Sequence, residues 1–172
     1  RLDAVTREQK ALKDAQLQLL PLQENLPMVT ASTISPSGMT LAGKHGTGVI
    51  SIGSTSTEGL AALATQWSFA EESARKHGNV VDRRDWRVLL SWHIAETREE
   101  ARRQARDGLM RWNNEYVHET LQRPGSVRFK DPDEAVDLTA FSPTSSAVIG
   151  TPDDLVKQIR SLLELTGGFG TV

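Results

Sequence analysis

Cysteine is absent from the 172-residue sequence, so this chain forms no disulfide bond, thiolate metal site or cysteine nucleophile. The sequence contains no apolar stretch that approaches the length of a membrane span, and no recognisable signal peptide. Neither sign of charge dominates, because 20 basic and 22 acidic residues leave a net charge of -2. This balance gives no reason to expect a nucleic acid or an anionic membrane as partner. We therefore expect a soluble, cytoplasmic protein.

Metal-binding patterns are missing as well. The four histidines form no pair with a carboxylate at convincing metal-ligand spacing, so we predict that the chain binds no metal. A hydrophobic content of 38% over this length allows one sizeable core. A single domain over residues 1–172 is therefore the expectation.

Residues 27–54 have the pattern of a strand, a polar loop, a short helix and a second strand. Residues 28–31 are a short run with β-branched content, and a turn-forming cluster follows them. An apolar-periodic segment begins at Met39 and ends at Gly46, and a second apolar run covers residues 48–52. Two strands that are joined through a helix by short connections lie parallel. The segment therefore predicts a βαβ unit.

The loop before this helix carries the chemistry of the segment. Ser35 followed by Pro36 is typical of a helix start, with the serine as N-cap and the proline at the first helical position. Free backbone N–H groups at a helix N-terminus, beside Ser35, Ser37 and Gly38, suit a phosphate group. The same residues are also ordinary capping residues, and no full glycine-rich fingerprint accompanies them. The local sequence alone leaves phosphate binding and simple capping both open.

The chain continues with alternating strands and helices. Residues 14–23 alternate as a half-exposed edge strand, and residues 87–95 predict a third core strand. Thr57 is placed to cap the long helix before that strand, while Thr97 and Glu100 form a capping box for the helix after it. The apolar stripes of these two helices include two tryptophans that we expect in the core, Trp67 and Trp112.

A segment at about residues 122–146 is rich in proline, serine and aspartate and shows no sustained period. We expect a loop insertion over one end of the sheet. It serves either as a lid that excludes water from an active site or as a disordered surface insertion. After it, Thr151 and Pro152 begin a helix that Gly167 ends, and a fourth core strand opens at Phe169.

Four parallel strands with helices between them belong either to an open doubly wound sheet or to a β/α barrel. An eight-stranded barrel takes about 250 residues, so this chain has the size of half a barrel with insertions. The chain starts at Arg1 rather than at a methionine and stops at Val172, where a strand has just begun. These ends fit a piece of a longer protein.

Three blocks carry a family resemblance, namely VTASTISPSGMTLAGKHGTGVISIGS, WHIAETREEAR and AVIGTPDDLVKQIRSLLELTGGFG. In this order and spacing they resemble the bacterial luciferase-like flavin-dependent monooxygenases, above all the limonene and alkanal monooxygenase branch. The resemblance runs from about residue 14 to residue 172. It implies an α/β fold of the (β/α)8 TIM-barrel class, with this chain as roughly the C-terminal half, strands five to eight.

The resemblance also implies a cofactor and its site. In the family, the loop after the fifth strand binds the flavin phosphate through a serine side chain and backbone amides, which corresponds here to Ile34, Ser35, Ser37 and Gly38. Some relatives carry an acidic residue at the position of Ile34, so a contact there must come from the backbone. The implied reaction uses dioxygen and reduced FMN, supplied by a separate reductase, to oxygenate a small apolar substrate of the terpene or aldehyde type.

His93 is the candidate catalytic residue. It lies near the carboxyl end of its predicted strand, on the same face as Ser91 and opposite Trp92 and Ile94. From there it can point into the barrel mouth, where a substrate binds. The alternative is a hydrogen-bonded histidine of the barrel core.

Two other functions stay open. A deazaflavin (F420)-dependent oxidoreductase shares the barrel, and the phosphate loop does not distinguish the two cofactors. A non-catalytic flavin-binding or oligomerising half-barrel, similar to the non-fluorescent flavoproteins, is the alternative outside the enzymes. The family's first to fourth strands, which contact the isoalloxazine ring, are not in this chain, so these residues alone should bind flavin weakly and be inactive. Because a half-barrel exposes strand edges and an apolar face, we expect a homodimer or association with the missing half.

Overall fold

The computed structural model describes residues 19, 22–23, 26–52, 56–140 and 147–172. Its central sheet consists of the parallel strands β1 (Val29–Ser32), β2 (Gly48–Ser51) and β3 (Trp86–Val88), hydrogen-bonded in that order. A parallel bridge between Arg87 and Thr171 adds the end of the chain to the far side of β3. The predicted core strands therefore occur in the predicted order, the fourth as this bridge. The predicted edge strand at residues 14–23 falls largely outside the described residues.

Helices connect these strands and cover one face of the sheet. In chain order, α1 (Ser37–His45) joins β1 to β2, and α2 (Thr57–His77) leads from β2 towards β3. The elements that follow β3 are β4 (Ser91–Ile94), α3 (Arg98–Arg111), a π-helix (Trp112–Thr120), α4 (Pro132–Ala140), β5 (Ala147–Gly150) and α5 (Pro152–Thr166). In the part of the chain that the structure describes, every helix is too short or too polar to cross a membrane.

The β1–α1–β2 unit forms as predicted, since β1 and β2 pair in parallel with Ser32 opposite Ser51. The helix start differs from the prediction by one residue, because Pro36 is the N-cap of α1 and Ser35 lies before it. Proline has no N–H to leave unsatisfied, which suits it to either position. The helix ends at Gly46, whose φ of 63° lets its N–H reach the carbonyls of the last turn.

The other helix starts follow the predicted capping with two changes. Ser56, rather than Thr57, caps α2 by accepting a hydrogen bond from the backbone N–H of Gly59 at 3.2 Å. Thr97 caps α3 as expected, but the carboxylate of Glu100 turns to its neighbours on the helix instead of completing a box. The complete capping box is at the start of α5, between Thr151 and Asp154.

The main core lies between the sheet and the helices α1, α2 and α5. The indole rings of Trp67 and Trp86 stack at its centre, with ring centroids 5.1 Å apart. Burying side chains of this size stabilises the fold by roughly 1.5–3 kcal/mol each. The other buried members of this cluster are Met39, Ala42, Val49, Leu63, Ala70, Val88 and Leu162.

The predicted third strand, residues 87–95, is divided in two. Its first part, β3, pairs with β2, whereas β4 leaves the sheet and pairs in parallel with β5. Strand β5 was not predicted, because Ala147–Gly150 is only four residues long and directly precedes a helix. A second, smaller core forms between this pair of strands and the helices α3 and α4, around Ala101, Val136 and Ile149.

Two expectations for the segment after α3 are corrected. Trp112 does not lie in the core, since it is 56% exposed. The chain changes from α-helix to π-helix at this residue, and the wider turn rotates the predicted apolar stripe out of register. The segment predicted as a loop at 122–146 contains helix α4, while 141–146 lie outside the described residues. The extent of the insertion stays a prediction.

The sheet face opposite the helices is largely apolar and open, with Arg87 as a charged residue on it. Alternation along the strands places Val29, Ile50, Ile52 and Leu89 on this face, because their neighbours in sequence point into the core. Val29 is 48% exposed and Leu89 is 45% exposed. Within the described residues no element covers this face. An apolar surface of this kind is expected to pack against further protein.

Candidate functional site

The turn between β1 and α1 brings the predicted phosphate-binding residues together at the carboxyl end of β1. The hydroxyl groups of Ser35 and Ser37 lie 2.7 Å apart and are both exposed. The Ser35 oxygen also accepts a long hydrogen bond of 3.4 Å from the backbone N–H of Ser37. Ile34 is half exposed and contributes only backbone groups. The turn therefore places two adjacent hydroxyl groups, hydrogen-bonded to each other, at the start of a helix.

The first turn of α1 is electrostatically different from those of the other helices. The first N–H groups of a helix have no partner inside the helix, and they carry the positive end of its dipole. Among the helices that the structure describes, α1 is the one with no acidic side chain in its first turn, and its N-cap side chain makes no capping hydrogen bond. The first turns of the other α-helices contain Glu58, Glu99, Glu100, Asp133, Glu134, Asp153 and Asp154.

Gly38 has a structural role in this turn. It is buried, and a Cβ atom placed on it would lie 2.8 Å from the Cα atom of Ser32 and closer still to the carbonyl oxygen of Ala31. Real Cβ atoms do not approach other atoms so closely. The glycine therefore lets the start of α1 sit directly on the end of β1. Its side-chain position faces the strand, so any ligand contact from Gly38 comes through its backbone N–H.

The side chain of Gln66 in α2 donates hydrogen bonds to the backbone of the turn. This role was not predicted from the sequence. The Nε2 atom of Gln66 donates to the backbone carbonyl of Thr33 at 2.5 Å and to that of Ile34 at 3.2 Å. The side chain is only 2% exposed. A signal was present in the sequence, because Gln66 and Ser73 are polar residues on the same helical face as the apolar stripe through Leu63 and Ala70. Polar residues in a buried stripe indicate buried hydrogen bonds.

His93 lies in a different place, on the pair of strands β4 and β5. It shares a face with Ser91, as predicted, and that face is turned towards α3. Its Nε2 atom is 2.9 Å from Oε1 of Gln104, whose amide nitrogen donates to Glu100 at 2.5 Å. Hydrogen bonds from Arg103, and then from Gln104, lower the pKa of the Glu100 carboxyl, so that it stays ionised.

A groove of about 310 Å³ opens beside His93, lined also by Ser91, Gln104, Gly108 and Ile149. The histidine is half-buried at its edge. Within the described residues, the Ser35–Ser37 turn does not line this groove. His93 stands opposite Ile149, which is buried against α3 and α4, so the histidine faces the helices and the predicted direction into the barrel mouth is wrong. The catalytic role of His93 stays a prediction.

The donor set at the β1–α1 turn fits a phosphate monoester. Hydroxyl groups and helix N-terminal amides are donors, a phosphate is an acceptor with two negative charges, and the turn has no carboxylate that would repel it. The turn offers no comparable site to a cation. In the described residues, moreover, no cluster of three or more His, Asp or Glu side chains is suited to hold a metal ion.

Comparison with known proteins identifies the class to which this fold and turn belong. The sequence model of the luciferase-like monooxygenase family matches residues 4–168. The chain therefore belongs to the luciferase-like monooxygenase family, as the sequence blocks predicted.

Two curated relatives are about two fifths identical to the chain over the aligned residues. It is 40% identical over 158 residues to limonene 1,2-monooxygenase of Rhodococcus erythropolis, covering 92% of this chain and 39% of the relative. It is 39% identical over 162 residues to 4-hydroxyprotoasukamycin monooxygenase of Streptomyces nodosus subsp. asukaensis, covering 92% of this chain and 43% of that protein. The chain thus spans about two fifths of the length of these relatives.

Solved structures agree with this assignment. The oxygenating constituent of 3,6-diketocamphane monooxygenase of Pseudomonas putida, a type II Baeyer-Villiger monooxygenase in complex with FMN, aligns with a TM-score of 0.60 and 26% identity, over 84% of this chain and 40% of that one. The monooxygenase RslO1 of Streptomyces bottropensis aligns with a TM-score of 0.59 at 22% identity, over 90% of this chain and 42% of that one, which supports the fold alone. The predicted TIM-barrel class is confirmed, and the chain forms part of such a barrel.

Proposed function

We propose that the protein is a flavin-dependent monooxygenase that uses reduced FMN and dioxygen to oxygenate a small apolar substrate of the terpene or aldehyde type. One oxygen atom enters the substrate and the other leaves as water, with a separate reductase supplying the reduced flavin. The observation that carries the proposal is the β1–α1 turn, where the hydroxyls of Ser35 and Ser37 lie 2.7 Å apart at an acid-free helix start. The match to the family supports it.

The residues of the turn are proposed to hold the flavin phosphate. Ser35 and Ser37 donate through their hydroxyl groups, Gly38 through its backbone N–H, and Ile34 through its backbone alone. Hydrogen bonds to a charged acceptor contribute about 1.5–3 kcal/mol each, so a few of them fix one end of the cofactor. The positive end of the α1 dipole adds to this attraction.

FMN, when bound, supplies the reactivity with dioxygen that no amino-acid side chain has. The chain itself anchors and orients the cofactor and excludes water from the site. The open apolar face of the sheet, with Ile50, Ile52 and Leu89, provides a dry wall next to the carboxyl ends of the strands. A small apolar substrate gains free energy by burial against such a surface, at about 25 cal/mol per Å².

The same face defines a proposed partner. The exposed side chains of Val29, Ile52 and Leu89 are proposed to be covered by further protein. That protein is the remainder of the barrel or a second copy of this chain, which would also supply strands to pair with the open sheet edge. Size-exclusion chromatography with light scattering checks this for the 172-residue chain alone. We expect at least a dimer at micromolar concentration, and a stable monomer would contradict the proposal.

Oxygen uptake tests the function itself. The protein in its natural full-length form is mixed with reduced FMN and an apolar terpene or aldehyde, and dioxygen and oxygenated product are measured. The account predicts product formation that depends on the substrate. A protein that consumes no oxygen above the rate of free reduced FMN is not a monooxygenase.

The deazaflavin alternative is tested with the same protein. An F420-dependent secondary alcohol dehydrogenase shares the fold, with a TM-score of 0.50 at 18% identity over 87% of this chain and 42% of that one. Binding of FMN and of F420 is compared by absorbance titration. Tighter binding of F420, with hydride transfer and no oxygen uptake, would replace the monooxygenase assignment.

A further inference from the structure

Helix α2 carries buried polar side chains that reach back to the segment of β1 and α1. Gln66 donates to the carbonyls of Thr33 and Ile34, at 2.5 Å and 3.2 Å, and Ser73 donates to the carbonyl of Thr40 at 2.7 Å. The two donors stand seven residues apart on α2, so they lie on the same face two turns from each other. Both are buried, with Gln66 2% and Ser73 6% exposed. Only the Gln66 contact lies at the phosphate-binding turn.

The orientation of the Gln66 amide is fixed by its partners. Both neighbours present carbonyl oxygens, which only accept hydrogen bonds, so the atom that faces them is the NH₂ group. The Oε1 atom is buried and has no partner among the described residues. A leucine or methionine of similar volume would fill the space without burying an unpaired acceptor. Packing therefore does not explain this amide, whereas its two donated hydrogen bonds do.

The contact fixes the direction of two peptide groups. In a trans peptide, the C=O of one residue and the N–H of the next point in opposite directions. Gln66 draws the carbonyls of Thr33 and Ile34 towards α2. The N–H groups of Ile34 and Ser35 consequently point away from α2, to the exposed side of the turn. The hydroxyl groups of Ser35 and Ser37 are exposed in the same turn.

We propose that Gln66 is a positioning residue for the phosphate of the cofactor. By holding the peptide groups between residues 33 and 35, it presents the amides of Ile34 and Ser35 to the phosphate together with the two serine hydroxyls. Gln66 itself does not touch the ligand. The inference rests on the proposed function, and it extends the phosphate site to a residue on the following helix.

The test is the preference for FMN over riboflavin, which isolates the contribution of the phosphate. Dissociation constants for both flavins are measured by fluorescence titration on the full-length wild-type protein, Gln66→Leu and Gln66→Met. Met has nearly the length and volume of Gln, is neutral and cannot donate to the two carbonyls, which gives a second variant if Gln66→Leu does not fold. We expect FMN affinity to fall about tenfold in both variants, with riboflavin affinity unchanged.

Ser73→Ala is the matched control, because it removes a buried hydrogen bond that α2 donates to a carbonyl of α1, away from the turn. It should lower stability without changing the FMN-to-riboflavin ratio. If the wild type binds the two flavins equally, the proposed phosphate site is wrong, and the role of Gln66 is wrong with it. If the wild type prefers FMN and the Gln66 variants keep that preference, the role of Gln66 alone is overturned. An equal loss of preference in Ser73→Ala would also overturn it.

Discussion

The guanidinium carbon of Arg83 lies 5.4 Å from the ring centroid of Trp67, over the indole that stacks on Trp86. The same guanidinium donates hydrogen bonds to the carbonyls of Thr166, at 2.6 Å, and Gly168, at 3.0 Å. These carbonyls stand at the end of α5, where a helix lacks internal partners and favours a cation. One side chain thus joins the end of α5 to the centre of the core.

Arg83→Met should lower the free energy of unfolding by about 2–3 kcal/mol. The substitution removes two hydrogen bonds from a charged donor and a cation–π contact, while it keeps most of the side-chain volume. Urea denaturation monitored by tryptophan fluorescence measures the loss. The adjacent Arg84→Met is the control, because the Arg84 side chain is 88% exposed and forms its ion pair with the nearby Asp82. Equal losses for the two variants would contradict the role assigned to Arg83.

Gly38→Ala should destabilise the protein by roughly 1–3 kcal/mol and weaken flavin binding. The added Cβ would collide with the backbone of β1 and push the start of α1 off the strand. Gly108→Ala is the matched control in the last turn of α3, where nothing lies within 4 Å of the new atom. It should raise stability by about 0.5–1 kcal/mol, because alanine favours the helix. Thermal unfolding and FMN titration report both effects, and a neutral Gly38→Ala would show that the close approach is unimportant.

The architecture followed from local rules because the governing signals are local. Pro36, Gly46 and the alternation of residues 48–52 define a helix between two strands, and short connections make those strands parallel. The division of residues 87–95 was not predictable in this way. It depends on pairing with β5, which follows β4 after more than fifty residues. No feature of residues 87–95 predicts that pairing.

The residues proposed to contact the phosphate were predicted from the sequence, but the residue that positions their backbone was not. Ser35, Ser37 and Gly38 were identified because a helix start and a family resemblance coincide in one short loop. Gln66 was missed because its function comes from a contact across 33 residues of sequence. The exposure of Trp112 was missed for a related reason, since a π-helix changes the periodicity that the apolar stripe assumes.

The ion pair between Arg98 and Asp154 should make stability depend on pH. Two hydrogen bonds hold the pKa of the Asp154 carboxyl well below its usual range. The larger effect comes from the Arg98 guanidinium and the next from the backbone N–H of Thr151. A carboxyl whose pKa is lower in the folded state stabilises the fold above its unfolded pKa of about 3.9, and this contribution is lost as the pH falls further. Arg98→Met should therefore be less stable than the wild type at neutral pH.

The difference in unfolding free energy between wild type and Arg98→Met should be constant above about pH 5 and should shrink as the pH falls below about 4. Urea denaturation at a series of pH values measures it. Lys157→Met removes an exposed positive charge from α5, the helix that carries Asp154, and controls for the change in net charge. A difference that does not change with pH in this range would rule out the ion pair as its source.

His93→Gln should reduce turnover and leave FMN affinity within about twofold of the wild type. His93 lies on β4 and is hydrogen-bonded to Gln104 of α3, whereas the phosphate turn follows β1, so the two sites share no residue. Steady-state oxygen uptake and FMN titration separate the two effects. The control is His118→Gln, since His118 contacts Ser126 in the segment after α3. Unchanged turnover in His93→Gln would assign the histidine to the structure of the second core.

Calorimetric titration of FMN into the full-length wild type and the double variant Ser35→Ala/Ser37→Ala tests the central claim most directly. Removing two donors to a charged acceptor should weaken FMN binding by at least about tenfold, while riboflavin binding stays the same. Ser68→Ala, an exposed serine on α2 that bonds only within its own helix, should change neither affinity. If the double variant binds FMN as tightly as the wild type, the turn does not hold the phosphate, and the site must be sought elsewhere in the barrel.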